Sequence, residues 1–143
     1  MKVVGFNFNK INMEKFKTNF EKLNINTNID ISDIKDLKQE LFKTKDEFIG
    51  VKFKFTLNYE PEIAKIEFSG DIIFSVESKL AREVIKQWKE KKIPEDFRVV
   101  LYNVILRKSS LKAFQLEEET NLPLHLSLPS IRKEDLKEAS KKK

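Results

Sequence analysis

Apolar and polar residues alternate along four segments in the first half of the chain, and this alternation limits the possible folds more than any other feature. Successive side chains of a β-strand point to opposite faces, so a period of two predicts strands with one buried and one wet face. Antiparallel sheets tolerate a wet face, whereas parallel sheets seldom do. The pattern therefore predicts a four-stranded antiparallel sheet built from residues 4–8, 23–31, 51–59 and 66–76.

The links between these strands are less uniform. Pro61 lies in the short link between the third and fourth strands, and because proline cannot donate to a strand ladder, a turn within a hairpin is predicted there. Between the first two strands, Phe16 and Phe20 fit either a helical turn or a continued, bulged strand. Residues 33–47 are charged and mixed, and they are predicted to form a loop with a helical turn.

The period changes at Ser78, where apolar residues begin to fall on one helical stripe and where Ser78 itself is a suitable N-cap. Pro94 opens a second predicted helix, from Glu95 to Glu119, that is apolar over a wide arc. Such a helix must bury more than one side: one against the sheet, the other against the first helix, the C-terminal segment or another subunit. Strands followed by helices predict an α+β fold with both C-terminal helices on one face of the sheet.

A leucine-rich segment follows the second helix, between two prolines that exclude helix. It is predicted to be extended and to lie against something apolar, since burying one leucine is worth roughly 1.5–3 kcal/mol. Four leucines would share a face if the segment were a strand: Leu122, Leu124, Leu126 and Leu128. We expect one α+β domain over residues 1–131 and a charged, flexible tail over residues 132–143.

Charge is concentrated in that tail. Residues 132–143 hold six Lys or Arg and three Asp or Glu, so they supply +3 of the net charge of +5. The remaining body is nearly balanced, which favours phosphate binding less than a basic body would. No signal peptide and no apolar run of about 18 residues is present, so no membrane insertion and a cytoplasmic location are expected.

Residues able to carry chemistry are few. The chain has no cysteine, and its one histidine, His125, would have to serve any nucleophile pair as base; an exposed or hydrogen-bonded side chain is the favoured interpretation. The run Glu117–Glu119 is interpreted as a solvated helix surface. Three glycines cannot build a phosphate-binding loop, and zinc needs more N or S ligands than the chain offers. No enzyme activity, metal or cofactor is predicted.

Twelve phenylalanines are many for 143 residues. Lys52 and Lys54 alternate with Phe53 and Phe55, so the lysines project from the opposite face and a base-stacking platform is disfavoured. Core packing is the favoured interpretation, ahead of an apolar groove for an extended peptide. Trp88 at the end of the first helix fits either a cap on the core or a contact anchor.

The layout resembles the SecB export chaperones and their SecB-like archaeal relatives. The resemblance covers roughly residues 44–131, and it is carried by Ala81-Arg82-Glu83-Val84-Ile85, by Ile93-Pro94 at the start of the second helix, and by Asn121-Leu122-Pro123 with Leu128-Pro129. It implies an ATP-independent holdase that forms oligomers, often tetramers, and holds unfolded chains in apolar grooves. Bacterial SecB is acidic and this chain is basic, so the resemblance implies client binding more than export; some SecB-like proteins instead guard an antitoxin.

Three functions follow as hypotheses. The first is a homo-oligomeric client-binding protein whose candidate contact residues are Phe48, Trp88, Leu122, Leu124, Leu126 and Leu128. Its oligomer interface would be the edge strand that carries Val4, Phe6 and Phe8, which can pair with another strand. The second is a nucleic-acid-associated protein that acts through its basic tail. The third is a structural subunit of a larger complex, with the second helix as its interface.

Overall fold

The computed structural model describes residues 1–37 and 46–136. Four strands come first, and two helices follow them: β1 (Lys2–Lys15), β2 (Asn24–Leu37), β3 (Glu47–Glu60), β4 (Ala64–Val76), α1 (Ser78–Trp88) and α2 (Glu95–Glu119). The predicted α+β class with a four-stranded antiparallel sheet is confirmed. None of the described helices is both long enough and apolar enough to cross a membrane.

The strands lie in the order β1-β4-β3-β2, and every neighbouring pair is antiparallel. β3 and β4 form the predicted hairpin at the centre, and β1 and β2 form the two edges. β2 continues to Leu37, which corrects the prediction of a loop from residue 33; Ile34 and Leu37 pair with Val51 and Phe48 and extend the ladder. The rest of that predicted loop, residues 38–45, lies outside the described residues.

The core lies between one face of the sheet and the helices. Alternate residues of β3 and β4 are buried on this face, and Phe74 of β4 meets Phe97 of α2 with ring centroids 5.1 Å apart. The other face carries exposed charges such as Lys52 and Lys54. This division follows the alternation in the sequence, since opposed residues of neighbouring strands share a face.

The buried stripe of α2 winds around the helix. Every fourth residue is enclosed: Phe97, Leu101, Ile105, Ser109, Ala113 and Glu117. Four residues advance by about 400°, so each step turns the stripe by about 40° around the axis. α2 therefore presents different sides to the core along its length, which explains why its apolar arc is wide. Ser109 and Ser110, two residues that could mark a bend because serine competes for backbone hydrogen bonds, lie in continuous helix.

Two local features differ from the sequence predictions. Ser78 is the first residue of α1 and Glu77 occupies the N-cap position, so Ser78 is not the cap. β1 continues to Lys15, which selects the bulged strand over the helical turn for the residues that lead to Phe16.

Candidate functional site

Two register shifts in β1 decide which of its side chains face the helices. The register breaks between Val3 and Gly5 and between Phe8 and Lys10, so Val4 and Asn9 have no opposed partner on β4. The residues opposed to core positions of β4 are Val3, Phe6, Phe8, Ile11 and Met13. Bulges bend an edge strand and re-aim its side chains, and here they bring a second apolar row onto the face that α2 covers.

Phe6 and Phe8 of this row are half-buried against the core. The Phe6 ring lies 5.4 Å from Phe53 and the Phe8 ring lies 5.3 Å from Phe68, measured between centroids. Gly70 faces both Phe8 and Phe53 in the ladder, and its missing side chain leaves room for the rings. A Cβ atom at Gly70 would collide with the Asn7 carbonyl oxygen and with the Phe53 ring.

A groove of about 310 Å³ lies between the start of β1 and the middle of α2. It is lined by Val3, Val104, Arg107, Lys108 and Leu111. Leu111 is 55% exposed, and the Lys108 ammonium lies 5.9 Å from the centre of the Phe6 ring. Farther along, the Lys15 ammonium donates to the Thr120 carbonyl oxygen at 2.8 Å. β1 thus lies near α2 at Val3 and Phe6, and near the C-terminal end of α2 at Lys15.

The groove borders a free strand edge. Among the described strands β1 pairs with β4 alone, so one side of its backbone has no strand partner over 14 residues. Ile11, on the helix-facing row, is 48% exposed beside it. A free edge offers N–H and C=O groups to any extended chain, and apolar side chains beside that edge offer contacts for every second residue of such a chain.

No carboxylate faces the groove along these walls. The helix-facing residues of β1 are apolar until Lys15, and α2 has no acidic residue between Asp96 and Glu117. Within the described residues, none of Arg107, Lys108 and Lys112 forms a salt bridge. Glu118 and Glu119 lie beyond Leu116, roughly 10 Å along the helix from Leu111 at 1.5 Å per residue. The groove is therefore apolar with a cationic rim.

The residues predicted for an oligomer interface do not share one environment. Val4 lies at the first bulge and is 50% exposed, whereas Phe6 and Phe8 pack against the core. The predicted single row of Val4, Phe6 and Phe8 is corrected, because the bulge replaces Val4 with Val3. β1 is an edge strand as expected, and its pairing with a second copy stays a prediction.

Phe48 and Trp88 lie on different surfaces. Phe48 alternates with the buried Ile49 and pairs with Leu37 and Ser75, which places it on the face away from the helices. Trp88 ends α1, packs against the core while half-exposed, and has the Lys91 ammonium 4.4 Å from its ring centre. The structure does not bring these two residues to one site.

The four leucines after α2 do not form a strand. Leu122 is buried in the core at 6% exposure, and Leu124 is half-buried. The backbone bends at residues 125–126, and Leu126 and Leu128 are 45% and 57% exposed. The leucines therefore divide between core and surface, and a role in client contact stays a prediction for all four.

Sequence reasoning missed a buried polar cluster behind these leucines. Glu117 was expected on a solvated surface, but its side chain is fully enclosed. Its carboxylate accepts a hydrogen bond from the Tyr59 hydroxyl and lies 2.8 Å from His125 Nδ1. His125 Nε2 lies 3.0 Å from Ser110 Oγ. Burial, with the hydrogen bond and charge of Glu117 added, raises the pKa of the Tyr59 hydroxyl, so this hydroxyl stays a donor.

The order serine, histidine, carboxylate is also found in hydrolases, where the hydroxyl must reach a substrate. Here Ser110 is 5% exposed and lies within α2, where backbone N–H groups bond along the helix and cannot form an oxyanion hole. The His125 ring is enclosed between Phe114 and Phe55, with centroids at 5.0 and 6.4 Å. The arrangement suits a structural role, in which these hydrogen bonds fix the chain after α2 to the helix and the sheet.

A hollow on the outer face of the sheet is a less suitable site than the groove. A hollow of about 270 Å³ on the outer face has an apolar floor that includes Leu37 and Ile73, but it lies over β2, β3 and β4, where the ladders pair the backbone. In the part of the chain that the structure describes, no three His, Asp or Glu side chains gather in a way that could hold a metal ion. The groove beside β1 is therefore the candidate site.

Comparisons with known proteins add a distant likeness. No family model matches the chain, and no curated protein matches it. Among solved structures, a SecB-like chaperone of Mycobacterium tuberculosis in complex with a ChAD peptide from the HigA1 antitoxin matches at 10% identity and a TM-score of 0.49, over 92% of this chain and 91% of that chain. Membership of the SecB-like family stays a prediction.

Proposed function

We propose that this protein binds apolar segments of unfolded polypeptides in the groove between β1 and α2, without nucleotide or metal. The observation that carries the proposal is an apolar groove beside an edge of β1 that pairs with no other described strand. A client in an extended conformation would pair its backbone with β1 and place alternate side chains against Val104 and Leu111. Both kinds of contact accept many sequences, as a client-binding protein requires.

The contact residues of this proposal differ in part from those predicted from sequence. Phe6 and Phe8 lie half-buried on β1 next to the groove, with the Lys108 ammonium 5.9 Å from the centre of the Phe6 ring. Val3 and Leu111 form the sides. Leu126 and Leu128 keep a proposed supporting role, because they are exposed on the segment that His125 anchors.

The experiment measures suppression of aggregation of a chemically unfolded protein that is diluted into buffer with a molar excess of this chain. Leu111→Ser removes an exposed apolar side chain from the groove. Leu106→Ser is the matched control, since it makes the same change on the same helix at a residue that is 37% exposed and does not line the groove. Burying one leucine is worth roughly 1.5–3 kcal/mol, so we expect protection to weaken several-fold in Leu111→Ser alone.

Circular dichroism would check that both variants remain folded. Equal protection by the wild type and by Leu111→Ser would remove the groove from the proposal. Equal loss in both variants would show a general effect of lost apolar surface on α2, and the site would then have to be sought elsewhere.

A further inference from the structure

We propose that the groove selects extended peptides in which acidic residues adjoin an alternating apolar stretch. This selectivity rests on the client-binding function proposed above and names the chemistry of the client. The inference follows from two cations that line the groove and that have no carboxylate partner among the described residues.

The cations of the groove contrast with those of the outer face. On the outer face, Glu67 forms salt bridges with Lys10, Lys54 and Lys65 at 3.2 to 3.5 Å. In the groove, Arg107 and Lys108 line the wall together, and neither forms a salt bridge within the described residues. Among the described residues, the lysines around Glu67 are thus paired, whereas Arg107 and Lys108 have no carboxylate partner and can meet one from a ligand.

The Lys108 ammonium also lies close to an aromatic ring. It lies 5.9 Å from the centre of the Phe6 ring, within the range of a cation–π contact. This contact holds the charge beside the apolar residues of the groove, where a client carboxylate can pair with it. Arg107 lies one residue away and can hold a carboxylate through two parallel hydrogen bonds.

The position of the charge on α2 is also defined. Arg107 and Lys108 lie between Val104 and Leu111 along the helix, and Val3 lies across the groove from them. An acidic residue of the client is therefore favoured beside the middle of α2. Apolar side chains of the client would meet Val104 and Leu111, and side chains on one face of a strand are about 6.6 Å apart.

The test uses the full chain and three synthetic peptides of about ten residues, a length suited to part of β1. All three share an alternating leucine and serine stretch, and they differ in a flanking pair of aspartates, lysines or serines. Fluorescence anisotropy gives each dissociation constant. We expect the aspartate peptide to bind most tightly and the lysine peptide most weakly, with the preference reduced by salt as the Debye length falls from about 10 Å to about 3 Å between 0.1 and 1 M.

Variants locate the preference. Arg107→Gln and Lys108→Gln should each lower the affinity for the aspartate peptide by up to about fivefold, the upper range for an exposed ion pair. The affinity for the serine peptide should stay almost unchanged. Lys89→Gln is the matched control, since Lys89 is exposed after α1 and away from the groove.

The outcomes separate this inference from the function on which it rests. Equal binding of all three peptides, combined with weaker binding to Leu111→Ser, would overturn the charge selectivity and leave the groove as a client site. A preference for aspartate that Arg107→Gln and Lys108→Gln do not reduce would also overturn it. Failure of all three peptides to bind would instead contradict the proposed function itself.

Discussion

His125 Nδ1 lies 2.8 Å from the carboxylate of Glu117, and both side chains are completely enclosed. The Glu117 carboxylate can accept a hydrogen bond from His125 Nδ1–H, and His125 Nε2 meets the Ser110 hydroxyl at 3.0 Å. The pair fixes the chain that follows α2 to the helix and, through Tyr59, to β3. It is the polar centre of an otherwise apolar interface.

Removal of the histidine tests the energetic role of this pair. His125→Ala leaves Glu117 buried with one fewer partner, and breaking a buried pair in this way costs about 3–5 kcal/mol. Urea unfolding followed by circular dichroism would measure the loss. The double variant His125→Ala with Glu117→Leu removes both members and should recover a large part of the free energy. If His125→Ala lowered the free energy of unfolding by less than about 1 kcal/mol, the result would contradict a structural role for the His125–Glu117 pair.

The adjacent serines of α2 should respond in opposite directions to the same substitution. Ser109 Oγ is buried and has no hydrogen-bond partner among the described residues, while Ser110 Oγ bonds to His125. Ser109→Ala removes an unsatisfied group and adds helix propensity, so we expect a gain of about 1 kcal/mol in the free energy of unfolding. Ser110→Ala should lose about 1 kcal/mol. A loss of equal size in both variants would contradict this distinction.

Gly70 tests the packing of the aromatic residues between β1 and β3. Because a Cβ atom there meets the Asn7 carbonyl oxygen and the Phe53 ring, Gly70→Ala must push β1 away from β4 or displace the ring. We expect a loss of about 1–3 kcal/mol, the usual cost of overpacking. Gly5→Ala is the control, since its Cβ would meet the Ile73 side chain at an ordinary 3.5 Å. Equal stability of both variants would show that the strands are less closely packed.

Glu67 on the outer face makes stability depend on pH. Burial tends to raise the pKa of this carboxyl, but hydrogen bonds and charge from Lys54 and Lys10 outweigh burial and hold the pKa below its ordinary value. A depressed pKa contributes stability that is present above the ordinary value of 4.5 and is lost as the pH falls through the folded value. The partner lysines are about half exposed, which limits the contribution to about 1 kcal/mol.

The wild type should therefore exceed Glu67→Gln in free energy of unfolding by about 1 kcal/mol near neutral pH, with the difference vanishing in acid. Urea unfolding of both proteins across the acidic range measures this. A difference that persists unchanged at low pH would mean that Glu67 acts through packing and not through charge.

Much of the fold was predictable because its signals are local. The alternation along β3 and β4 and the helical stripe of α1 each depend on neighbouring residues, and these elements, with the bounds of α2, agree with the sequence predictions. The loop prediction from residue 33 was wrong because charged residues such as Asp33 and Lys35 mask a strand whose outer face is wet.

The site was harder to predict because it depends on tertiary context. The bulge at Val4 turns Val4 away from the helices and turns Val3 toward them. The local alternation of apolar and polar residues does not predict a bulge at this position. Glu117 lies in a run of three glutamates, and only the winding of the buried stripe of α2 turns it inward. One signal could have indicated that Glu117 is buried. The enclosed residues of α2 recur at every fourth position from Phe97, and the last position of this repeat is Glu117.

Hydrogen exchange of backbone amides tests the central claim most directly. A client that pairs with β1 should slow exchange in residues 2–15, since free edge amides gain partners there. It should also slow exchange around Val104 to Lys112, because bound client covers this part of α2 and opposes its local opening. The other edge strand, residues 24–37, is the internal control and should exchange as in the free protein. Protection confined to β1 and the middle of α2 is the predicted result. Bound client with unchanged exchange in β1, or with protection confined to β2, would contradict the groove as the binding site.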